Sequence, residues 1–250
     1  MIFDASAYVG PWPLWKSHAE TGTELISFMD KWKIDVAAVV HTGSIFHNTQ
    51  TGNEQIAKMV KAHGDKIVGV SSVNPTSVDA AKALRKCIKD DGLKGLKLFP
   101  SYHGFDFEKT TGWRPVLEEA VRLEIPILIS VRLMMDWTLP VYSPRGIGIV
   151  AKEFPDADLI ISGAGPYSEL AESFIIMRDH DNVRFEISDL SQFLGLEGLV
   201  NDFGSDRVLL GTGLPFQYPI CGVSKVTHAE ISDADKKKIL WENSTKLFKL

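Results

Sequence analysis

Cysteine is nearly absent: Cys87 and Cys221 are the two in a chain of 250 residues. One falls inside a helical pattern and the other in a loop, so a disulfide scaffold is not indicated. Two free thiols suit a reducing, cytoplasmic compartment. Long apolar runs are missing too. None approaches the ~18 residues that argue for a helical membrane span, and no basic segment followed by an apolar stretch opens the chain as a secretion signal would. Basic residues form no block, and the formal net charge is −5, which argues against a nucleic-acid partner. A GxGxxG stretch after the first apolar run, the mark of a dinucleotide-binding sheet, is also lacking. So are internal repeats and low-complexity linkers. What remains is a soluble, cytoplasmic α/β chain expected to form one domain over residues 1–250.

The hydrophobic fraction is 44%, ample for one large core. Short β-branched runs alternate with longer stretches of helical period. Residues 1–7, "IDVAAVV", "KIVGVSSV", "GLKGLKLF", "PILISV", "ADLIISG", "NVRFEI" and "DRVLLG" read as eight strands, each bounded by Gly, Pro or Asp. Helices are expected over 23–33, 53–63, 78–90, 113–123, 148–154, 167–178, 194–203 and 233–247. The last is marked by Ser232 as N-cap with Asp235 three residues on. Pro115 sits where an early helical turn tolerates proline. Eight β–α units in succession predict a single (β/α)8 TIM barrel rather than an open doubly wound sheet. In such barrels chemistry gathers at the C-terminal strand ends, here just past Ala7, His41, Ser72, Phe99, Ser130, Ser162, Ile187 and Gly211.

At those ends the chain resembles the amidohydrolase superfamily, in the branch of small hydrolases and decarboxylases related to aminocarboxymuconate semialdehyde decarboxylase. "MIFDASAYVG" is similar to the family's opening "IIDxHxHxG", "GLKGLKLFP" to its "GxKGIKLHP", and "EIPILIS" to a stretch ending "PVLIH". "FPDADLIISGAG" resembles "FPDLKFILAHLG", "DRVLLGTGLPF" resembles "DRVLFGSDYPF", and "KKKILWENSTKLFKL" resembles the closing "ILGENAARLLGL". The resemblance covers nearly the whole chain and implies a metal-dependent hydrolase or decarboxylase. The metal-binding positions do not carry over. Ser6 and Tyr8 stand where the family has two strand-one histidines; Phe99, Ser130 and Gly163 stand for the next three, and Gly213 for the strand-eight aspartate. Protonated hydroxyls bind divalent ions poorly and Phe or Gly side chains not at all, whereas a zinc site needs three or four converging N, S or O ligands. No metal and no other cofactor is therefore expected.

Several polar residues still fall near the mouth. Alternation points Lys97 inward on the face of Phe99. It is expected to pair with Glu186 or Asp4, or to bind a substrate carboxylate, with a Schiff-base role as a remote option. Arg132 shares the parity of Ser130 and is placed either to grip a carboxylate or phosphate or to pair with a loop acid. His103 is a candidate general acid/base, the alternative being that it and Tyr102 order their loop. His18, His63, His180 and His228 read as surface residues. Ser6, Tyr8, Ser130, Arg132 and Lys97 together describe a polar, net-positive pocket for a small anionic molecule, with Tyr102 and Glu186 as further contacts. Ser6, Ser130 and Ser162 lack a GxSxG elbow, which argues against a serine nucleophile. Trp12 and Trp15 after strand one, and Met134, Met135 and Trp137 after strand five, are candidates for a lid or for the contact of a homo-oligomer.

Three readings follow. The first is a binding protein or pseudoenzyme on a scaffold that has lost its metal. The second is a metal-independent, lactonase-like hydrolase or decarboxylase using His103, Lys97 and Arg132 with Tyr8. The third is a metallohydrolase with relocated ligands: Asp4, His41, His103 and Glu186.

Overall fold

A computed structural model describes the chain apart from residues 15, 135–138 and 166. Eight strands form one sheet in sequence order: β1 (Phe3–Val9), β2 (Val36–His41), β3 (Ile67–Ser71), β4 (Gly95–Leu98), β5 (Ile127–Ser130), β6 (Leu159–Ser162), β7 (Val183–Glu186) and β8 (Val208–Leu209). Every neighbouring pair is parallel. The sheet closes on itself, since Ala5 N donates to Leu210 O at 2.8 Å and Gly213 N to Ser6 O at 2.9 Å. This is the expected TIM barrel.

Two apolar layers hold it. Inside, Phe3, Ala5, Ala38, Val40, Val70, Phe99, Leu128, Ile160 and Leu209 share one buried cluster. Outside, alternate residues such as Leu96, Leu98, Ile127, Ile129, Ile161 and Phe185 pack with the surrounding helices. Each such fully buried aliphatic or aromatic side chain contributes about 1.5–3 kcal/mol of transfer free energy. Two layers on a closed parallel sheet explain why the strands read as continuous apolar runs.

The first strand breaks simple alternation. Its register against β2 shifts between Asp4 and Ala7, so Phe3 and Ala5 pack in the same cluster as Tyr8 while Ala7 joins an outer one. Ser6 and Tyr8, two residues apart, serve one side chain of β4, as described below.

Helices fill the expected places with some shifts. The second begins earlier than expected, at Thr49–His63, because Asn48 caps it by accepting from Thr51 N. Ser232 accepts from Asp235 N as foreseen, opening Asp233–Lys237, from which the chain stays helical through Leu247. Among the described residues three α-helices were not expected: the one-turn Gly43–Phe46 and Pro100–His103, and one longer helix. Pro219–His228 follows β8 and carries the exposed Cys221, which the sequence reading assigned to a loop. Among the described residues, no helix is long and apolar enough to cross a membrane.

Candidate active site at the barrel mouth

Lys97 stands at the centre. Its side chain leaves β4 inward, is 1% exposed, and donates to Ser6 Oγ at 2.9 Å and Tyr8 OH at 2.8 Å. The ammonium lies 4.7 Å from the centre of the Tyr8 ring, with Phe99 farther off at 6.0 Å. Burial pushes its pKa down to about 8, against the opposing pull of Glu186, Asp4 and Asp189. The expected ion pair is not formed: among the described residues, no carboxylate lies within 4 Å of Lys97 Nζ, and its hydrogen-bond partners are the two hydroxyls. Burial also pushes Tyr8 well above the ordinary phenol value, so it stays protonated.

The carboxylates near Lys97 are held elsewhere. Glu186 accepts from Ser162 Oγ and Gly163 N, each at 2.8 Å, and from Ser188 Oγ at 2.9 Å and Ser188 N at 2.8 Å. Four donors occupy its two oxygens. Asp4 is bound by Thr212 through both backbone and hydroxyl, and by Ser6 N at 3.0 Å. Burial raises its pKa to about 6. Asp189, just beyond β7, accepts from the Gln217 side chain through Oδ1, while Oδ2 is buried without a partner. Burial first, then the charge of Glu186, raises Asp189 to about 7. The surroundings of Lys97 thus carry three carboxyl groups and are not net-positive.

The remaining candidates sit apart from Lys97. Arg132 forms a two-pronged ion pair with Glu169 of the helix Tyr167–Asp179, and both residues are buried. The alternative of a loop acid as its partner is therefore met from a helix, and the guanidinium is already engaged. Ser130 donates to Arg132 O at 2.9 Å, pinning the start of the same loop. His103 ends the short helix Pro100–His103, with Nε2 3.0 Å from Ser44 O, and burial lowers its pKa. Tyr102 turns its ring edge-on to Phe46 at 5.4 Å. Both belong to the contact between the loops after β2 and β4. His41 Nδ1 accepts from Gly43 N at 3.0 Å, again within its own loop.

Aromatic rings cover the centre. Phe216 lies 5.4 Å from Tyr8 and 4.2 Å from Trp12, and Trp12 meets Phe46 edge-on at 5.0 Å. Trp12 therefore packs over the mouth. Trp15, Met135 and Trp137, expected in the same cover, lie outside the described residues.

The amidohydrolase sequence model matches residues 23–250. The chain belongs to the amidohydrolase family. No functionally curated protein matches it. Solved amidohydrolase-fold structures align over their full length. A Staphylococcus aureus protein assigned as an amidohydrolase superposes with a TM-score of 0.77 at 17% identity, covering 100% of this chain and 99% of that one. The 5-carboxyvanillate decarboxylase of Sphingomonas paucimobilis gives 0.74 at 14%, covering 100% and 99%. The 2,6-dihydroxybenzoate decarboxylase of Rhizobium gives 0.72 at 15%, covering 98% and 99%. At such identities these amidohydrolase likenesses concern the fold.

The metal implied by the family finds a poor donor set here. Among the described residues, no three His, Cys, Asp or Glu side chains are grouped to hold an ion, and His41 and His103 are bound within their loops, apart from Asp4 and Glu186. The Ser6 and Tyr8 oxygens accept from an ammonium, so a cation bound by them would meet a like charge. Gly163, at φ +75°, stands where the family has its strand-six histidine, and a Cβ there would overlap the Arg132 carbonyl oxygen. Gly213, at φ +68°, stands where the strand-eight aspartate belongs; Gln217 Nε2 lies 3.0 Å from the point a Cβ would take. Backbone has closed over the first lost ligand and the Gln217 side chain over the second.

Three partner residues at the barrel mouth were missed at the sequence level. Glu169 lies in a helix whose pattern reads as packing, and Asp189 and Gln217 lie in aperiodic loops. The available signal was the acidic residue three positions past Glu186, in "EISD".

Proposed function

We propose that this amidohydrolase-family barrel works without the family's metal, that the Lys97 ammonium stands in for it, and that a small anionic molecule binds there. One observation carries the reading: Lys97 Nζ sits buried between Ser6 and Tyr8, the residues that replace the strand-one histidines, and has no carboxylate partner. An ammonium has three N–H donors, and two are used. The Tyr8 hydroxyl, which accepts from Lys97 and from Ser6, keeps its own proton to give. Donors thus outnumber acceptors around one fixed positive charge, which suits a carboxylate. Nothing in this arrangement activates water as a bound divalent ion does. The protein is therefore a binder, or an enzyme of altered chemistry, on a hydrolase and decarboxylase scaffold.

The metal-independent hydrolase or decarboxylase of His103, Lys97 and Arg132 has less support. Arg132 is closed by Glu169 and His103 faces Ser44 O, so the three do not converge.

Two measurements test the reading. Elemental analysis of the untagged protein is expected to find no stoichiometric divalent metal, even after incubation with zinc or manganese. About one tightly held ion per chain overturns the proposal. A thermal-shift series with acetate, propionate and butyrate is expected to raise Tm by mass action, logarithmically with ligand concentration above Kd. Lys97→Met is expected to abolish that shift. Equal stabilisation of wild type and variant removes Lys97 from the binding role.

A further inference from the structure

The interior charges divide by how completely their bonding is met. Glu186 is saturated by four donors, Asp4 by Ser6 and Thr212, and Arg132 and Glu169 satisfy each other. Lys225, which donates to Ile187 O and Ser188 O, keeps a third N–H, but it lies away from the Ser6 and Tyr8 hydroxyls; two groups at the centre itself are left with unused capacity. One is the third N–H of Lys97. The other is Asp189 Oδ2, in a residue 2% exposed. A buried carboxylate oxygen without a donor is costly, and native structures rarely leave one without reason.

Contacts connect these two groups. Gln217, the donor to Asp189 Oδ1, fills the space beside Gly213, whose N–H donates to Ser6 O at 2.9 Å; Ser6 in turn accepts from Lys97. The Asp189 charge acts on both Lys97 and Tyr8. Asp189 thus reaches from β7, through Gln217, to the space beside Gly213 on the β8 side. Phe216 and Gln217, both half-buried, line a groove of about 490 Å³ with His18, Trp32 and Tyr218. Phe216 also packs on Tyr8.

We infer that the ligand of this site is a small zwitterion of the amino-acid class, its carboxylate on Lys97 Nζ and its ammonium on Asp189 Oδ2. The assignment rests on the anion-binding reading above and extends it by one contact. A simple carboxylate answers Lys97 and leaves Asp189 unmet. A hydroxy acid gives Asp189 Oδ2 only a neutral donor, and the Lys225 and Arg132 charges that act on Asp189 do not hydrogen-bond it. An ammonium answers both needs, and a charge-assisted hydrogen bond is about twice as strong as a neutral one.

The experiment is calorimetric or thermal-shift titration of the full chain with glycine, β-alanine and 4-aminobutyrate. Each is paired with the acid of equal carbon count: acetate, propionate and butyrate. At least one amino acid is expected to bind about tenfold or more tightly than its partner, the scale of one added charge-assisted hydrogen bond. In Asp189→Asn, a near-isosteric change whose folding is checked by circular dichroism and the ligand-free melt, that advantage is expected to vanish while simple acids keep their affinity. Equal binding of amino acid and acid in wild type overturns the zwitterion and leaves the anion site standing. So does an advantage that survives in Asp189→Asn. If none of the six compounds binds, both readings fall.

Discussion

The two sides of the barrel interior carry opposite charges in opposite conditions. On the β6–β7 side Glu186 is met by two hydroxyls and two backbone N–H groups. On the β1–β4 side Lys97 is met by two hydroxyls and has a donor to spare. A fully bonded buried charge is structural: it fixes the strands and loops that supply its partners. An incompletely bonded one raises the energy of the empty protein and lowers it again when a ligand arrives. The same chemistry of buried charge thus serves architecture on one side and recognition on the other.

The largest expected effect comes from breaking the structural side. Gly163 donates its N–H to Glu186, adopts φ +75°, and has no room for a Cβ beside the Arg132 carbonyl. Gly163→Ala is expected to cost upwards of about 3 kcal/mol, combining the left-handed penalty of ~1–2 kcal/mol with backbone displacement. The loss of soluble protein or a Tm drop of about 10 °C or more is the measurement. Gly104→Ala is the control: φ is +68° but nothing lies within 4 Å of its Cβ, so the left-handed penalty alone applies. Next in size is Glu186→Ala, which strands four buried donors and leaves Lys97 and Lys225 without its charge. Urea denaturation is expected to show a loss of about 3–5 kcal/mol, the range for breaking a buried charged network. A loss below 1 kcal/mol means that Glu186 is not the structural anchor.

How much of this was legible in the sequence differs between the same two sides. Lys97 was placed inward by alternation because β4 runs without irregularity into Phe99. The β1 residues were harder: the register shift between Asp4 and Ala7 defeats a strict two-residue period. All eight strands announce themselves because burial on both faces demands β-branched runs. Pro219–His228 does not, since Ile220, Gly222, Val223, Val226 and Thr227 weaken its helical signal, although Pro219 at the first turn hints at it. Partners are the least legible feature. Nothing local in "YSELAES" tells that Glu169 closes on Arg132, 37 positions earlier. Nothing in "SDLSQF" tells that Asp189 meets Gln217, 28 positions later. Such pairings depend on closure of the barrel, which no short window contains.

Smaller effects sharpen the recognition side through pH. Burial and Glu186 raise Asp189 from 3.8 to about 7. Between those values the folded protein binds more protons than the unfolded one. Stability therefore falls as pH rises from about 4 to 7, with a slope of at most about 1.4 kcal/mol per pH unit from this group. Asp189→Asn is expected to flatten that fall, read as the difference in urea-unfolding free energy between variant and wild type at pH 4.5, 6 and 7.5. A difference that does not grow across this window contradicts the unmet burial of Asp189.

Lys97 gives the opposite sign over a narrower window, and so the smallest effect. Burial lowers it from 10.5 to about 8. Between those values the unfolded chain holds a proton that the folded protein has released, so the Lys97 contribution rises with pH. Below pH 8 the penalty of a buried, incompletely paired ammonium is fully present; above it the penalty is relieved. Lys97→Met removes the titrating group and is expected to lack this rise, measured as the variant-minus-wild-type difference at pH 7.5, 8.5 and 9.5. A saturating carboxylate ligand is expected to act in the same direction, holding the ammonium charged and shifting the onset of the rise upward. Glu186 provides the contrast: because its bonding is complete without a ligand, no added carboxylate should alter its part in stability. If ligand and Lys97→Met leave the alkaline limb unchanged, the ammonium is as well satisfied as Glu186, and the distinction between the two sides disappears.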